Sequence, residues 1–240
     1  MKAIILAAGF ATRLYPITEN KAKPLLEINN KPIINYIVDK IREISSEEII
    51  IVTNNKFYGD FIQWKEKNNY SNLTILNDRV CNPEERLGAI GDLLFVIDKN
   101  KINEDLFLIS GDNLFRYSLK GAYDIFKKER KDLSIFNDLM DIKEAARMGV
   151  ALIKDNLVID FEEKPKNPKS TLCSTSTYFF RKETIPLMKE FLKEPGNKDQ
   201  PGLFLEYLYK RAPVYAYVSN EKWIDVGTIE SLKRAQFEFF

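Results

Sequence analysis

Two stretches of this chain are apolar almost without interruption, and they constrain the fold more than any other feature of the sequence. Residues 2–8 read KAIILAA and residues 48–53 read EIIIVT. A strand with one face in water alternates apolar and polar side chains, whereas a strand that is covered on both faces is apolar at nearly every position. Each stretch is also too short for a core helix. We therefore expect two strands buried on both faces, as in a parallel sheet.

Helical and extended patterns alternate along the rest of the first half. From Pro32, apolar side chains recur at helical spacing, and proline suits the first turn of a helix. Further strands are predicted at 73–76, 106–110 and 133–137, and further helices at 58–67, from near Leu87 and at 119–130. This order favours an α/β fold, in which helices flank a mostly parallel, Rossmann-like sheet.

The second half of the chain is richer in strands. Residues 148–153 and 157–162 flank a Lys-Asp-Asn turn and predict a hairpin. A long strand at 172–180 precedes a helix at 184–193, and a last helix begins near residue 228. No glycine- and serine-rich linker interrupts the sequence. We therefore expect a single domain over 1–240, with a β-rich elaboration after about residue 140.

The sequence contains no histidine. That absence excludes Ser-His-Asp and Cys-His nucleophilic sites, HExxH zinc sites and any imidazole general base. The chemistry of this chain must therefore use carboxylates, lysine, arginine and backbone amides, with a hard metal ion where one is needed.

Charge and apolar patterning narrow the class of partner. The chain has 36 basic and 35 acidic residues, so it lacks the basic footprint of a nucleic-acid-binding protein. No segment reaches the roughly 18 uninterrupted apolar residues of a membrane span. Two cysteines, Cys81 and Cys173, are too few for a disulfide framework. We expect both to be buried free thiols in a cytoplasmic protein.

Ligands of open α/β sheets bind beyond the carboxyl ends of the strands. This rule selects the loop at 9–24, after the first strand, and the loop that follows 106–110. The first loop contains small residues whose backbone N–H groups can face an anion, and Arg13 adds bidentate recognition of phosphate. Lys21 and Lys23 follow in the same loop. The alternative is a tight strand-to-helix turn with solvated cations.

Two carboxylates are candidates for binding a cation. Asp112 directly follows a predicted buried strand, in Gly-Asp-Asn, and Asp225 lies in the segment WIDVGT ahead of a helix that Thr228 would cap. Mg²⁺ usually takes one or two carboxylates and leaves its other positions to phosphates and water. Each carboxylate is also compatible with an ordinary turn, a Gly-Asp turn at Asp112 and a capping turn at Asp225.

The first loop reads L-A-A-G-x-x-T-R-L-x-P-x-T from Leu6, and K-P-L-L follows from Lys23. This pattern closely resembles the signature of the sugar-1-phosphate nucleotidylyltransferases, which include the glucose-1-phosphate thymidylyl- and uridylyltransferases. The resemblance implies that Arg13 grips the leaving pyrophosphate and that Lys23 lies on the reacting phosphates. Ala11 stands where the family usually has glycine. The resemblance assigns the nucleotide phosphates to Leu6, Ala7, Ala8 and Gly9.

The resemblance also assigns the metal and the base. The family's G-D and W-x-D-V-G-T motifs hold the catalytic Mg²⁺, and here they carry Asp112 and Asp225. Pro83 replaces a glutamine that often reads the base, and an alanine stands where threonine is common in the segment LGAIG. The residues assigned to the base are Asn82, Gly88 and Ala89.

The sugar phosphate is assigned to the second half of the chain. Glu163 and Lys164 match an E-K-P motif whose glutamate binds sugar hydroxyls and whose lysine binds the sugar phosphate. Without the resemblance, such a pair is typical of a solvated turn. Serine replaces asparagine at Ser174 and glycine at Ser176, so the sugar is not fixed by the motif. The assigned residues are Gly149, Glu163, Lys164, Ser174 and Thr175.

The resemblance therefore implies an Mg²⁺-dependent nucleotidyltransferase of nucleotide-sugar biosynthesis. Its partners would be a nucleoside triphosphate and a sugar 1-phosphate, and its products a nucleoside-diphosphate sugar and pyrophosphate. Residues 1–140 would form the nucleotide-binding half, and residues 141–240 would bind the sugar and supply the second metal ligand.

Three alternatives stay open at this point. They are a phosphocholine or polyol-phosphate cytidylyltransferase, a non-catalytic nucleotide-sugar sensor or regulatory subunit, and a metal-dependent glycosyltransferase. The apolar end of the chain, residues 237–240, packs either on its own core or on a second copy. A homo-oligomer therefore also stays open.

Overall fold

The computed structural model describes residues 1–44, 48–196 and 199–239, in which strands and helices alternate along the chain. The strands are β1 (Lys2–Leu6), β2 (Glu27–Ile28), β3 (Lys31–Pro32), β4 (Ile49–Thr53), β5 (Leu73–Asn77), β6 (Leu106–Ser110), β7 (Asn113–Phe115), β8 (Asp132–Asp138), β9 (Gly149–Lys154), β10 (Leu157–Glu163), β11 (Leu172–Phe180), β12 (Val214–Ser219) and β13 (Trp223–Asp225). The α-helices are α1 (Ile33–Ile41), α2 (Tyr58–Lys67), α3 (Ala89–Asn100), α4 (Leu119–Glu129), α5 (Ile142–Ala145), α6 (Ile185–Phe191), α7 (Pro201–Leu208) and α8 (Ile229–Glu238).

One large sheet runs through the molecule in the order β5-β4-β1-β6-β11-β8-β12-β10-β9. β1 pairs in parallel with β4 and β6, β4 with β5, and β8 with β12. β11 lies antiparallel between β6 and β8, and β10 lies antiparallel between β12 and β9. All of its described strands except β10 and β11 therefore point in one direction. The prediction of an α/β fold with a mostly parallel sheet is confirmed.

Helices cover both faces of this sheet, which explains the uninterrupted apolar stretches. In β1, Ala3 and Ile5 face the core beneath α1, α2, α4 and α8, whereas Ile4 faces the core beneath α3, α6 and α7. All three side chains have no exposed surface. Burying an isoleucine stabilises a fold by about 1.5–3 kcal/mol, so both faces of β1 contribute. No helix in the described ranges is both long enough and apolar enough to cross a bilayer.

The second half agrees with the predicted elements in part. The hairpin at 148–153 and 157–162 is confirmed as β9 and β10, which are antiparallel. The predicted helix at 184–193 is shorter, because a single 3-10 turn precedes α6. No prediction from the sequence covers α7, β12 or β13. β13 has three residues, which is too few to display a period.

Cys173 is buried, as predicted, but the prediction that Cys81 is buried is wrong. The Cys81 side chain is exposed in the loop after β5, where its Sγ lies 3.5 Å from Nδ2 of Asn55. Its thiol therefore lies in a polar, solvent-facing loop, and the tendency of cysteine to be buried did not hold there.

The end of the chain packs on its own core. The ring of Phe239 lies edge-on to that of Tyr36, with 6.0 Å between the ring centroids, and it is buried. The side chain of Phe237 is 84% exposed. Phe240 lies outside the described residues.

A buried carboxylate ties the start of β8 to the turn after β11. Asp132 accepts hydrogen bonds from the backbone N–H of Arg181 at 2.8 Å and from the hydroxyl of Thr184 at 2.7 Å. Its side chain has no exposed surface. Burial raises the pKa of this carboxyl to about 6, although the donors and the Arg181 guanidinium lower it; the nearby Glu183 raises it slightly.

Replacing Asp132 with asparagine should make stability less dependent on pH. The pKa of Asp132 is higher in the folded chain, about 6, than the ordinary value of 3.8, so the folded state loses stability as pH rises between these values. Asp132→Asn has no carboxyl at this position and does not lose stability in this way. The free energy of unfolding of the variant minus that of the wild type should therefore rise by up to about 3 kcal/mol from pH 4 to pH 7. Urea unfolding across this range measures the difference, with Asp124→Asn as an exposed control. A difference that is constant with pH would contradict the account.

Candidate active site

A cavity of about 310 Å³ opens at the carboxyl ends of β1 and β6. The topological rule for open sheets selected this edge, so the cavity lies where ligands of such folds bind. Two predicted catalytic cations, Arg13 and Lys23, and the carboxylate of Asp112 all line it. The predicted nucleotide-binding residues that line it are Leu6, Ala7, Ala8, Gly9, Gly88 and Ala89.

A close approach of two backbones fixes the position of Asp112. The N–H of Gly111 donates to the carbonyl of Leu6 at 2.8 Å. A Cβ atom on Gly111 would lie 2.9 Å from that oxygen, which is closer than real contacts allow. Glycine at this position therefore lets the loop after β6 close over the end of β1, and Asp112 follows directly into the cavity.

The loop after β1 contains a residue in a conformation that favours glycine. Ala11 has φ 50° and ψ 40°, the left-handed region, which costs a residue with a Cβ roughly 1–2 kcal/mol. Its carbonyl accepts hydrogen bonds from the N–H of Leu14 at 2.9 Å and the hydroxyl of Thr18 at 2.8 Å. Ala11 stands where the family usually has glycine, and it keeps the left-handed backbone conformation that glycine adopts freely.

Lys23 and Asp112 form the central ion pair of the cavity. The Nζ of Lys23 lies 2.5 Å from Oδ2 of Asp112, and the two side chains are 13% and 25% exposed. A short 3-10 turn at Lys23–Leu25 presents the lysine, and Pro24 stiffens the second position of this turn. The pair brings the loop after β1 into direct contact with the loop after β6.

A two-stranded ribbon brings the second predicted metal ligand to the same place. β13 pairs antiparallel with β7, which sets Asp225 opposite Asn113, and the N–H of Val226 donates to the carbonyl of Asp112 at 3.1 Å. Asn113 in turn accepts from the indole N–H of Trp223 at 3.0 Å. Asp112 and Asp225 are distant in the sequence, and this ribbon makes them neighbours.

The carboxyl of Asp225 lies beside a second carboxylate, Asp112, and close to three cations. Removal from water and the charge of Asp112 raise the pKa of Asp225 to about 6, while Lys23, Arg13 and Lys164 lower it. Two carboxylates that repel each other in a partly enclosed site are stabilised by a cation between them. The arrangement therefore suits a bound metal ion.

The donor set fits Mg²⁺ in particular. Mg²⁺ prefers oxygen ligands, and it commonly binds one or two carboxylates together with phosphates and water. Among the described residues, no group of three or more His, Cys, Asp or Glu side chains could hold a metal ion by itself. A metal at Asp112 and Asp225 would therefore complete its ligands with water or with a phosphate.

A second cavity of about 180 Å³ adjoins the first and shares Arg13 and Asp112 with it. It also reaches Asp225, so both predicted metal ligands face it. The predicted sugar-phosphate residues that line it are Gly149, Glu163, Lys164 and Ser174. A third cavity, of about 320 Å³, meets the others at Arg13. Arg13 thus lines all three cavities.

Glu163 is held in this second cavity by two glycines. A Cβ on Gly149 would lie 2.7 Å from Oε2 of Glu163, and a Cβ on Gly202 would lie 1.8 Å from the same oxygen. Burial and the nearby Glu206 raise the pKa of Glu163, and Lys164, whose Nζ lies 3.8 Å from Oε1, lowers it. The carboxylate of Glu163 is therefore a confined acceptor for hydrogen-bond donors.

Two predicted site residues do not line these cavities within the described part of the chain. Thr175 is fully buried, where its carbonyl accepts from Nδ2 of Asn113 at 2.9 Å and its hydroxyl donates to Ile135. Asn82 caps a 3-10 turn, and its side chain accepts from the N–H of Glu85 at 3.2 Å. Thr175 supports the ribbon from behind, and Asn82 shapes the approach to Gly88.

Two acidic residues for which the sequence predicted no role, Asp78 and Asp92, lie near one end of the first cavity. Gly88 lines the cavity at this end. Asp92 is buried one turn into α3, lines the cavity and shares a hydrogen bond with the buried Asp78. Burial and the charge of Asp78 raise the pKa of Asp92 to about 8. Burial and the neighbouring carboxylate therefore favour the protonated form of Asp92 at this end of the cavity.

The segment around α7 is the main part of the site that sequence reasoning missed. Pro201 and Gly202 line the second cavity, and Arg86 forms an ion pair with Asp199 at 2.9 Å just before the helix. Proline at the first helical position and the apolar spacing of 204, 205 and 208 were the available signals. The contact of Gly202 with Glu163 could not be found from periodicity, because it joins two segments that are distant in the sequence.

Comparisons with known proteins agree with this geometry. Residues 2–239 match the Nucleotidyl transferase family. The chain is 32% identical, over 98% of its length and 95% of the relative, to the UTP–glucose-1-phosphate uridylyltransferase AglF of Haloferax volcanii. It is 29% identical to the bifunctional protein GlmU of Methanocaldococcus jannaschii, over 95% of its own length, and spans about half (51%) of that relative.

Solved structures share the fold. A Bacillus anthracis protein assigned as a glucose-1-phosphate thymidylyltransferase, in complex with sucrose, has a TM-score of 0.84 at 28% identity, over 98% of this chain and 94% of that chain. A UDP-glucose pyrophosphorylase in complex with UDP-glucose has a TM-score of 0.82 at 23% identity, over 98% and 96% of the two chains.

The family match spans nearly the whole chain, and the loop after β1, the ion pair and the ribbon lie together at one edge of the sheet. The resemblance drawn from the sequence is thereby confirmed: the chain belongs to the nucleotidyl transferase family, among the sugar-1-phosphate nucleotidylyltransferases.

Proposed function

We propose that this protein transfers a nucleoside monophosphate from a nucleoside triphosphate to a sugar 1-phosphate, with release of pyrophosphate. The observation that carries the proposal is the junction of two cavities at Arg13 and Asp112, with Asp225 facing the second. A nucleotide in the first cavity and a sugar phosphate in the second would bring their phosphates together at this junction.

The reaction needs no general base, which suits a chain without histidine. An oxygen of the sugar phosphate, already anionic near neutral pH, attacks the α-phosphorus of the triphosphate. The new phosphorus–oxygen bond forms as the bond to the bridging oxygen of the β-phosphate breaks, and pyrophosphate leaves with that electron pair. The protein therefore has to hold two anions in line and neutralise their charge.

Three cations of this chain supply the neutralisation. Lys23 lies in the first cavity and would contact the reacting phosphates, Lys164 lies in the second and would contact the sugar phosphate, and Arg13 would bind the leaving pyrophosphate. Asp112 and Asp225 would hold Mg²⁺, which supplies Lewis-acid and template chemistry when bound. Glu163 would accept hydrogen bonds from sugar hydroxyls.

The first substrates to test are UTP and glucose 1-phosphate, because AglF, at 32% identity, is named for them. The confined carboxylate of Glu163 favours an acceptor with hydroxyl groups over phosphocholine, which has none on its choline part. The presence of Arg13, Lys23, Asp112 and Asp225 in one site supports an enzyme rather than a sensor.

Asp112→Asn should abolish most of the activity while leaving the fold intact. The variant removes the charge that pairs with Lys23 and that would bind Mg²⁺, and the loss of one such electrostatic contact lowers the rate by on the order of 10²–10³. Pyrophosphate release from UTP, glucose 1-phosphate and Mg²⁺ is the measurement. Asp155→Asn, in the exposed hairpin turn, is the control, and near-normal turnover of Asp112→Asn would refute the assignment.

Gly202→Ala should weaken binding of the sugar phosphate without weakening binding of the nucleotide. The added methyl would lie 1.8 Å from Oε2 of Glu163, so the carboxylate must move out of its place. Loss of a hydrogen bond to a charged group should raise the KM for the sugar phosphate by about 10- to 100-fold and leave the KM for the nucleotide unchanged. Gly59→Ala is the matched control, because a methyl there meets nothing within 4 Å. Equal changes in both KM values would count against the role of Glu163.

A further inference from the structure

A cavity of about 260 Å³ lies at the edge of the sheet opposite to the candidate active site. It opens where the segment before β6, the segment after β11 and the end of α4 meet. The candidate active site lies at the other end of β6, whose five residues span roughly 17 Å at the rise of a β-strand. The two cavities are therefore separate, and the reaction proposed above does not use this one.

Cationic side chains from two segments line this cavity. They are Lys127, Arg130, Arg181 and Lys182. In the ranges that the structure describes, none of the four forms an ion pair. The Nε atom of Arg181 is buried and has no hydrogen-bond partner among the described residues. The charge of Arg181 acts on the buried carboxyl of Asp132, but the buried Nε itself has no hydrogen-bond acceptor in the described ranges, which is costly.

Three carboxylates also border the cavity, and one of them, Glu104, is paired with another cation. Oε2 of Glu104 lies 2.6 Å from the amino group of Met1. Oδ1 of Asp105 accepts a hydrogen bond from the backbone N–H of Lys182 at 3.1 Å. The third, Glu183, is exposed. The lining cations therefore outnumber the carboxylates that remain to neutralise them.

The dipole of α4 explains only some of the four cations that line the cavity. Cations in the last turn of a helix stabilise its carbonyl end, which accounts for Lys127 and for the neighbouring Lys128. Arg181 and Lys182 follow β11 and belong to a different segment. Their convergence on the same cavity needs another cause.

We propose that this cavity binds a small phosphorylated anion, of the size of a sugar phosphate or pyrophosphate. Guanidinium groups bind phosphate oxygens through two parallel hydrogen bonds, and lysines add compact charges beside them. Two arginines and two lysines can surround an anion that carries two or more charges. The volume lies below the roughly 300–1,000 Å³ of pockets for larger ligands, so the ligand is small.

Calorimetric titration of the full chain with inorganic pyrophosphate, without metal, tests the site. The wild type should show two classes of binding site, one at the candidate active site and one here. Arg130→Gln/Lys182→Gln removes two exposed cations and should weaken only the second class, by about tenfold or more, because charge-assisted hydrogen bonds are lost. Arg13→Gln should weaken only the first class.

The matched control is Lys128→Gln/Lys154→Gln, which makes the same change in charge at two exposed lysines that do not line the cavity. Its two classes should match those of the wild type. Wild-type binding in Arg130→Gln/Lys182→Gln, or an equal loss in the control, would overturn the proposal. Because Arg13→Gln reports on the first class alone, a failure of the proposed function and a failure of this site give different results.

Discussion

The short antiparallel ribbon of β7 and β13 is the contact on which the rest of the site depends. It sets Asp225 opposite Asn113 and joins Val226 to the carbonyl of Asp112. Two carboxylates are thereby brought together in a partly enclosed place, where removal from water and the charge of Asp112 raise the pKa of Asp225 to about 6. Such a pair is stabilised by cations. Lys23 supplies one, and the proposed Mg²⁺ would supply another.

Each layer of the fold contributes to holding that ribbon in place. The parallel strands β1 and β6 end at the same edge, and the contact of Gly111 with Leu6 closes their two loops together. Behind the ribbon, Asn113 is fixed between the indole of Trp223 and the carbonyl of Thr175. Thr175 lies on β11, so Asn113 links the small sheet to the large one.

Sequence reasoning could predict the parts of this molecule that are local. Strands β1 and β4 were visible because apolar residues fill both faces, and the loop after β1 carried a long motif. The convergence of Asp112 and Asp225 was implied only by resemblance, since a three-residue strand pairing with a distant segment leaves no periodicity. The same reason hid the contact of Gly202 with Glu163. Asn82 and Thr175 lie near other predicted site residues in the sequence. The side chain of Asn82, however, caps a 3-10 turn, and that of Thr175 is buried in the core.

The most direct test of the account is whether Asp112 and Asp225 bind a divalent cation together with the nucleotide. Mn²⁺ can replace Mg²⁺ at oxygen ligands and is followed by electron paramagnetic resonance. In the presence of UTP, the wild type should bind Mn²⁺ on the order of tenfold or more tightly than Asp225→Asn. Equal Mn²⁺ affinity in the wild type and in Asp225→Asn would contradict the account.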